Sequence, residues 1–309
     1  MKNFIYTIMI VATLLLLFNA CETDKEIKLP AYHPKLVVHG YMALGDYFTV
    51  AVGKTLNITG TIVPDTASYV KDARVILFEN GIRKDTLLYD SATQRYTSSK
   101  IIAITANTYK IIVEAAGYTT VEATATAPSV VNTELVRYQQ NARFSSDGEA
   151  LNDVTFRFHD PAAEQNYYLL ELNRQTPYGN TRPDIEFCVY TYDPVIEQSQ
   201  SDFNPFQNNS CIGSNSILFT DKKINGSDKQ ITISGQAGYM TEMQYNNDVY
   251  RPYLKKYNIS SAFYQYVKDG ITLRNLQDNP FAQPVTVSSN ISNGYGLFTI
   301  YSVTVDTLR

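Results

Sequence analysis

Three cysteines occur in this chain, Cys21, Cys188 and Cys211, and the surroundings of each suggest a different chemistry. Cys21 follows Met1-Lys2-Asn3, an uncharged stretch Phe4–Phe18 and Asn19-Ala20. After it the chain turns polar and acidic, with Glu22, Asp24 and Glu26. A basic start, an apolar stretch and a small residue at the cut are the layout of a secretory signal peptide. With cysteine directly after Ala20, the stretch resembles a bacterial lipoprotein signal. Ala20 is then the cleavage site, and lipid on the Cys21 sulfur holds the mature protein to a membrane. A transmembrane helix needs about 20 apolar residues, whereas Phe4–Phe18 is shorter and carries Thr7 and Thr13. A plain signal peptide with an incidental cysteine is the alternative, because Phe18 stands where lipoprotein signals usually carry Leu.

Glu22, Asp24 and Glu26 read as a solvated leader, and also resemble the acidic surface-export signals of some lipoproteins. Cys188 and Cys211 are left as a pair in an oxidising compartment. The segment between them is rich in Asp, Asn, Gln, Ser and Pro. A disulfide closing such an irregular loop stabilises by roughly 3 kcal/mol. Two buried thiols or a metal site are the alternatives. The histidines His33, His39 and His159 all lie far from both cysteines in sequence, which argues against zinc.

No nucleophile elbow, zinc-protease helix motif, phosphate-binding glycine loop or calcium loop is present. His159-Asp160-Pro161 offers a base beside an acid, yet without a positioned Ser or Cys it reads as a strand end. Asp147-Gly148-Glu149 and Asn225-Gly226-Ser227-Asp228 read as turns. No catalytic residue, metal or cofactor is expected. With 26 basic against 30 acidic residues and a net charge of −4, the scattered Lys and Arg exclude a nucleic-acid surface.

The elements that carry these residues are mostly strands. Twenty-four Tyr, 14 Phe and no Trp, with many Thr, Val and Ile, favour sheet over helix. Residues 1–20 are the signal and 21–30 the lipidated cysteine and leader. Residues 31–128 form an immunoglobulin-like or transthyretin-like sandwich. Within it, Asn80-Gly81 makes a tight primed hairpin turn, a second hairpin forms around Ala116-Gly117, and Tyr109 suits a tyrosine corner. Residues 129–309 form a second β-rich domain. Its strands are expected around Asn152–His159, Gln165–Asn173, Glu186–Tyr192, Ser216–Thr220, Lys229–Ser234, Val285–Ser289 and Gly296–Val305. A single helix near 260–276 is capped by Ser260 or Ser261 and carries Phe263, Val267 and Ile271 on one side.

Seven tyrosines, from Tyr239 to Tyr266, crowd one stretch. They read either as cover for a helix–sheet core or as a recognition face for carbohydrate or peptide. Tyr250, Tyr253 and Tyr257 are the first candidates for such a face. Thr66, Thr86, Ser91 and Thr307 each sit in an Asp-Ser/Thr-apolar triplet. That triplet resembles an O-glycosylation pattern of bacterial lipoproteins.

The C-terminal stretch carries a family resemblance. Asn279-Pro-Phe-Ala-Gln-Pro284 and Ser289-Asn-Ile-Ser-Asn-Gly-Tyr-Gly-Leu-Phe298 resemble the signature of domain-of-unknown-function family 4249. Cys21-Glu22 with Leu29-Pro30, Leu36-Val-Val-His-Gly, Asp72-Ala-Arg-Val, Asn107-Thr-Tyr-Lys-Ile, and Asp160-Pro161 with Asn166-Tyr-Tyr extend the match over nearly the whole mature chain. Gly294 and Gly296 in that signature read as a bend or bulge. The resemblance implies an outer-membrane lipoprotein without assigned activity, associated with TonB-dependent transporters. The expectation is a non-enzymatic accessory or binding component of such a system, lipid-anchored in the outer membrane and open to export to the cell surface. A free-standing surface adhesin or glycan-binding protein is the second expectation, and a cryptic hydrolase the third.

Overall fold

A computed structural model describes residues 32–57, 68–130, 132–145, 148–162, 164–176, 184–191, 193–196, 200–201, 216–276, 283 and 285–309. Met1–His33 and Pro34–Arg309 are separate compact units. Of the first unit only Tyr32 and His33 are described, so Ala20, Cys21, Glu22, Asp24 and Glu26 lie outside the described residues.

The second unit is mostly β, as expected. Its first half holds β1 (Leu36–Ala43), β2 (Tyr47–Lys54), β3 (Arg74–Glu79), β4 (Ile82–Asp90), β5 (Arg95–Ile102), β6 (Thr108–Glu114) and β7 (Val121–Thr126). These pair in the order β1-β2-β5-β4-β3-β6-β7. Strict alternation in β1, β6 and β7 sends every second side chain inward. Val38, Phe48, Val50, Val75, Ile111 and Val113 meet in one core. Each such side chain contributes about 1.5–3 kcal/mol when fully buried. Asn80 and Gly81, at φ 49° and 80°, make the two-residue turn between β3 and β4. Gly117 (φ 81°) lies in the turn between β6 and β7. Tyr109 is the expected corner. Its hydroxyl accepts from Ile104 N at 3.0 Å and donates to Glu79 Oε1 at 3.0 Å, with Ile102 O also within 3.2 Å, tying β6 to β3 and to the preceding loop.

The second half contains β8 (Asn132–Phe144), β9 (Ala150–His159), β10 (Tyr167–Arg174), β11 (Ile185–Glu186), β12 (Val189–Thr191), β13 (Gln200–Ser201) and β14 (Ser216–Thr220). After these come β15 (Asp228–Gln236), β16 (Met243–Tyr245), β17 (Asp248–Tyr250), β18 (Pro252–Ile259), helix α1 (Ser261–Leu276) and β19 (Tyr295–Thr307). A sheet β12-β15-β9-β8 packs against β14-β10-β18-β19 over Phe156, Phe158, Leu170, Phe219, Ile233 and Leu254. The opposite face of β10, β14, β18 and β19 is covered by α1 through Phe263 and Val267. The helix starts where expected, since the Ser260 hydroxyl accepts from Phe263 N at 3.2 Å.

Two expectations need correction. The division at residues 128 and 129 does not separate two bodies, because β19 pairs in parallel with β1 and antiparallel with β18. One sheet therefore runs through both halves, and Phe298 and Ile300 of β19 belong to the first core. Val285–Ser289 is not a strand either. It is strapped to the helix, Ser288 N donating to Asp269 Oδ2 at 2.8 Å.

The C-terminal signature explains the parallel insertion. A Cβ on Gly296, at φ 110°, would stand 2.1 Å from Val38 O, and one on Gly294 would stand 2.7 Å from Leu36 O. Only glycine lets β19 come this close to β1. Asn290 completes the entry: its amide donates to Phe298 O at 2.7 Å and accepts from Phe298 N at 2.9 Å. The signature is a structural clamp, as its reading as a bend implied.

Candidate partner-binding hairpin

The tyrosine-rich stretch divides sharply by burial. Tyr253 and Tyr257 on β18 are only 7% and 5% exposed, which corrects their placement on a recognition face. Both point to the face of the sheet that α1 covers in part. Tyr257 donates to the buried Glu171 carboxylate at 2.8 Å, and the Tyr253 hydroxyl pairs with Asp184. Burial first, and then Glu171, raise the Tyr257 hydroxyl above the usual tyrosine range. These rings are core.

Tyr239 and Tyr245 are 43% and 45% exposed, and Tyr250 is half-buried. They belong to the segment before β18, where β16 and β17 pair only with each other. Asn246 and Asn247, at φ 50° and 68°, form a two-residue primed turn at the tip. Asn tolerates positive φ because its side chain can bond locally. The Asn-Asn pair flanked by Tyr245 and Asp248 was therefore a readable hairpin signal, and sequence reasoning missed it.

The base of this hairpin is braced at several points. Met240 is fully buried in the second core, against Gly235. Tyr138 on β8 donates to Met240 O and accepts from Asn152 Nδ2 at 2.8 Å. Tyr239 stacks on Phe187 with centroids 6.0 Å apart, under the Arg174 guanidinium at 5.9 Å. Arg251 and Glu242 pair across the stem at 2.7 Å. The result is a short projecting ribbon with a fixed base and an exposed Tyr/Asn/Gln tip. Tyr offers large contact area at little entropy cost, so such a tip suits recognition.

The remaining candidates fall as follows. Cys188 is buried, and Cys211 lies outside the described residues. Thr66 does as well. Ser91 and Thr307 are exposed, while Thr86 is half-buried and accepts from Arg83 at 2.9 Å. His159 pairs with Asp228 at 2.6 Å instead of Asp160. Asp160 accepts from Tyr168 at 2.5 Å and from Gly226 N at 3.0 Å, while Asp221 beyond it accepts from Asn166 N at 2.7 Å. Burial raises the Asp221 carboxyl. The Asp160-Pro161 and Asn166-Tyr-Tyr motifs thus meet in one buried polar clasp. Burial, and then Arg95, hold the His39 imidazole below its ordinary range. Among the described residues no group of three or more His, Cys, Asp or Glu is placed to hold a metal, and no helix is long and apolar enough to cross a membrane.

Comparison with curated proteins and with solved structures finds no match to this chain. Comparison with protein families matches residues 22–307 to a domain of unknown function, DUF4249. That match spans the first strand, both cores, the hairpin and the glycine clamp of β19, and the chain belongs to the DUF4249 family.

Proposed function

We propose that this protein is a lipid-anchored, non-enzymatic outer-membrane lipoprotein that works as an accessory to a membrane-embedded β-barrel, in the first instance a TonB-dependent transporter. The observation that carries this reading is the braced β16–β17 hairpin, which leaves Tyr245 exposed beside its tip and Tyr250 half-buried, while the following Tyr253 and Tyr257 are buried. Lipid on Cys21 would hold the body near the membrane, at high effective concentration relative to an embedded partner, so a modest contact area suffices. Residues Glu22, Asp24 and Glu26 would direct the anchored protein to the cell surface, and no chemistry is assigned to it.

The test is affinity purification after gentle detergent extraction, with mass spectrometry of the N-terminus and of the co-purifying proteins. An acylated Cys21 and a recovered β-barrel are expected, and Tyr245→Ala should weaken recovery about tenfold or more without unfolding the protein. Recovery of the protein alone after cross-linking in cells would overturn the accessory role and favour a free-standing adhesin.

A further inference from the structure

A second feature, independent of the hairpin and of any partner, lies where α1 begins. A cleft of about 550 Å³ opens between the first turns of the helix, Tyr167 at the start of β10, Thr220 at the end of β14 and Lys222 just after it. Its chemistry is one-sided. Two ammonium groups, Lys222 and Lys268, stand at it together with the amides of Gln165 and Gln265 and the Ser261 hydroxyl, and no described carboxylate lines it. Both lysines are exposed, and neither has an ion-pair partner among the described residues.

The Lys268 ammonium lies 6.0 Å over the Tyr264 ring, which packs on Tyr167 with centroids 5.0 Å apart. Asp269, the acid next to Lys268 in sequence, keeps its charge but neither lines the cleft nor pairs with Lys268, and its two oxygens take neutral donors. One accepts from Gln265 Nε2 at 2.6 Å and the other from Ser288 N at 2.8 Å. A site that presents two positive charges and several hydrogen-bond donors, and no acid, favours an oxyanion.

The cleft continues into a second space of about 510 Å³ at the junction with the first half, sharing Gln165, Tyr167, Ser261 and Asn290. That space is lined by amides and hydroxyls from Thr105, Thr124, Asn258 and Ser129, with Glu164 its one described acid. Groups that both donate and accept suit a ligand that does the same, and a polyhydroxylated body fits this description.

We propose that the cleft binds a sugar acid, its carboxylate between Lys222 and Lys268 and its hydroxyls along Gln165 and the adjoining polar space. The probe is glucuronate, titrated calorimetrically into the full chain and compared with glucose, which lacks the carboxylate, and with acetate, which lacks the hydroxyls. Saturable glucuronate binding is expected, at least tenfold tighter than either comparison compound, and about tenfold weaker in Lys222→Ala and in Lys268→Ala. Lys222→Glu should abolish it, while Tyr245→Ala should leave it unchanged. An absence of saturable glucuronate binding would overturn the proposal. So would equal binding of glucose or acetate, or affinity indifferent to both lysine changes, in variants whose thermal unfolding matches the parent.

Discussion

The first half of the body and the sandwich built around β8–β19 bury similar apolar side chains but differ in the polar groups they enclose. Between Leu36 and Ala127, Ser98 is the one described buried residue with a polar or charged side chain outside the aromatics. The second half buries Asp153, Asp160, Asn166, Glu171, Asp221, Lys256 and Asn258, among others. The first half is held by shape and apolar area, which many sequences can supply. In the second half each buried polar group needs its partner in place, so the packing there is specific and sensitive to single changes.

Alkaline titration should show this contrast at its largest. Burial raises the hydroxyls of Tyr168 and Tyr257 and pushes Tyr301 up to about 12; it also raises Tyr41, which stands on β1 but packs on the helix-covered cluster, and in the first core Tyr96 and Tyr109. In the unfolded chain these groups ionise near 10, so their contribution is fully present below that pH and is lost as pH rises through the folded values. Stability should fall by roughly 1.4 kcal/mol per buried tyrosine for each pH unit above about 10. Burial lowers Lys256, which acts with the opposite sign, since the unfolded chain then binds more protons and stability rises with pH toward about 10.5. It is one group against several. Hydrogen exchange at rising pH should show β9, β10 and β18 losing protection before β3; simultaneous loss would erase the distinction between the halves.

Next in size is the buried ion pair. Lys256, 1% exposed, donates to Asp306 on β19 and to Thr133 on β8. Asp306→Asn should cost about 3–5 kcal/mol in denaturant unfolding, because it strands an ammonium in the core. Replacing both partners by apolar residues should cost far less, and equal losses would show that the pair itself supplies the stability.

Cys188→Ala or Cys211→Ala should cost about 2–4 kcal/mol, if non-reducing peptide mapping finds the two joined. Two freely alkylated thiols in the native protein would remove the disulfide from the account. Tyr109→Phe, in the apolar half, should cost only about 1–2 kcal/mol by unpairing Ile104 N and removing the donor to Glu79, which keeps Asn107 as a partner. A larger loss would mean that the first half also depends on a polar keystone.

The same contrast governs what could be read from the chain. Strands β1, β6 and β7 alternate cleanly, and the turn at Asn80-Gly81 and the corner at Tyr109 follow from residue type. Helix α1 was legible because Ser260 caps it and Phe263 and Val267 repeat at its period. Strand β18 was missed because it is buried on both faces and so shows no alternation. Strand β8 was missed for the opposite reason, being an edge strand exposed along much of its length. Tyr253 and Tyr257 were misplaced because tyrosine serves core and surface equally well; the acid that accepts from Tyr257, Glu171, lies far away in sequence. The link from β19 to β1 was also hidden, since nothing local says which strand a glycine admits as neighbour.

That link has a consequence for how the molecule comes together. The strand admitted by Gly296 lies between β1 and β18, so the long sheet remains two separate pieces until Tyr295–Thr307 arrives. Its neighbour β1 opens the body, so the pairing closes a very long loop and is slow to form. A chain threaded from its N-terminus through an export channel would stay open, with β1 lacking its β19 neighbour, until its last strand emerged. The folded body would then form only on the far side of the membrane, where the loop could at last close.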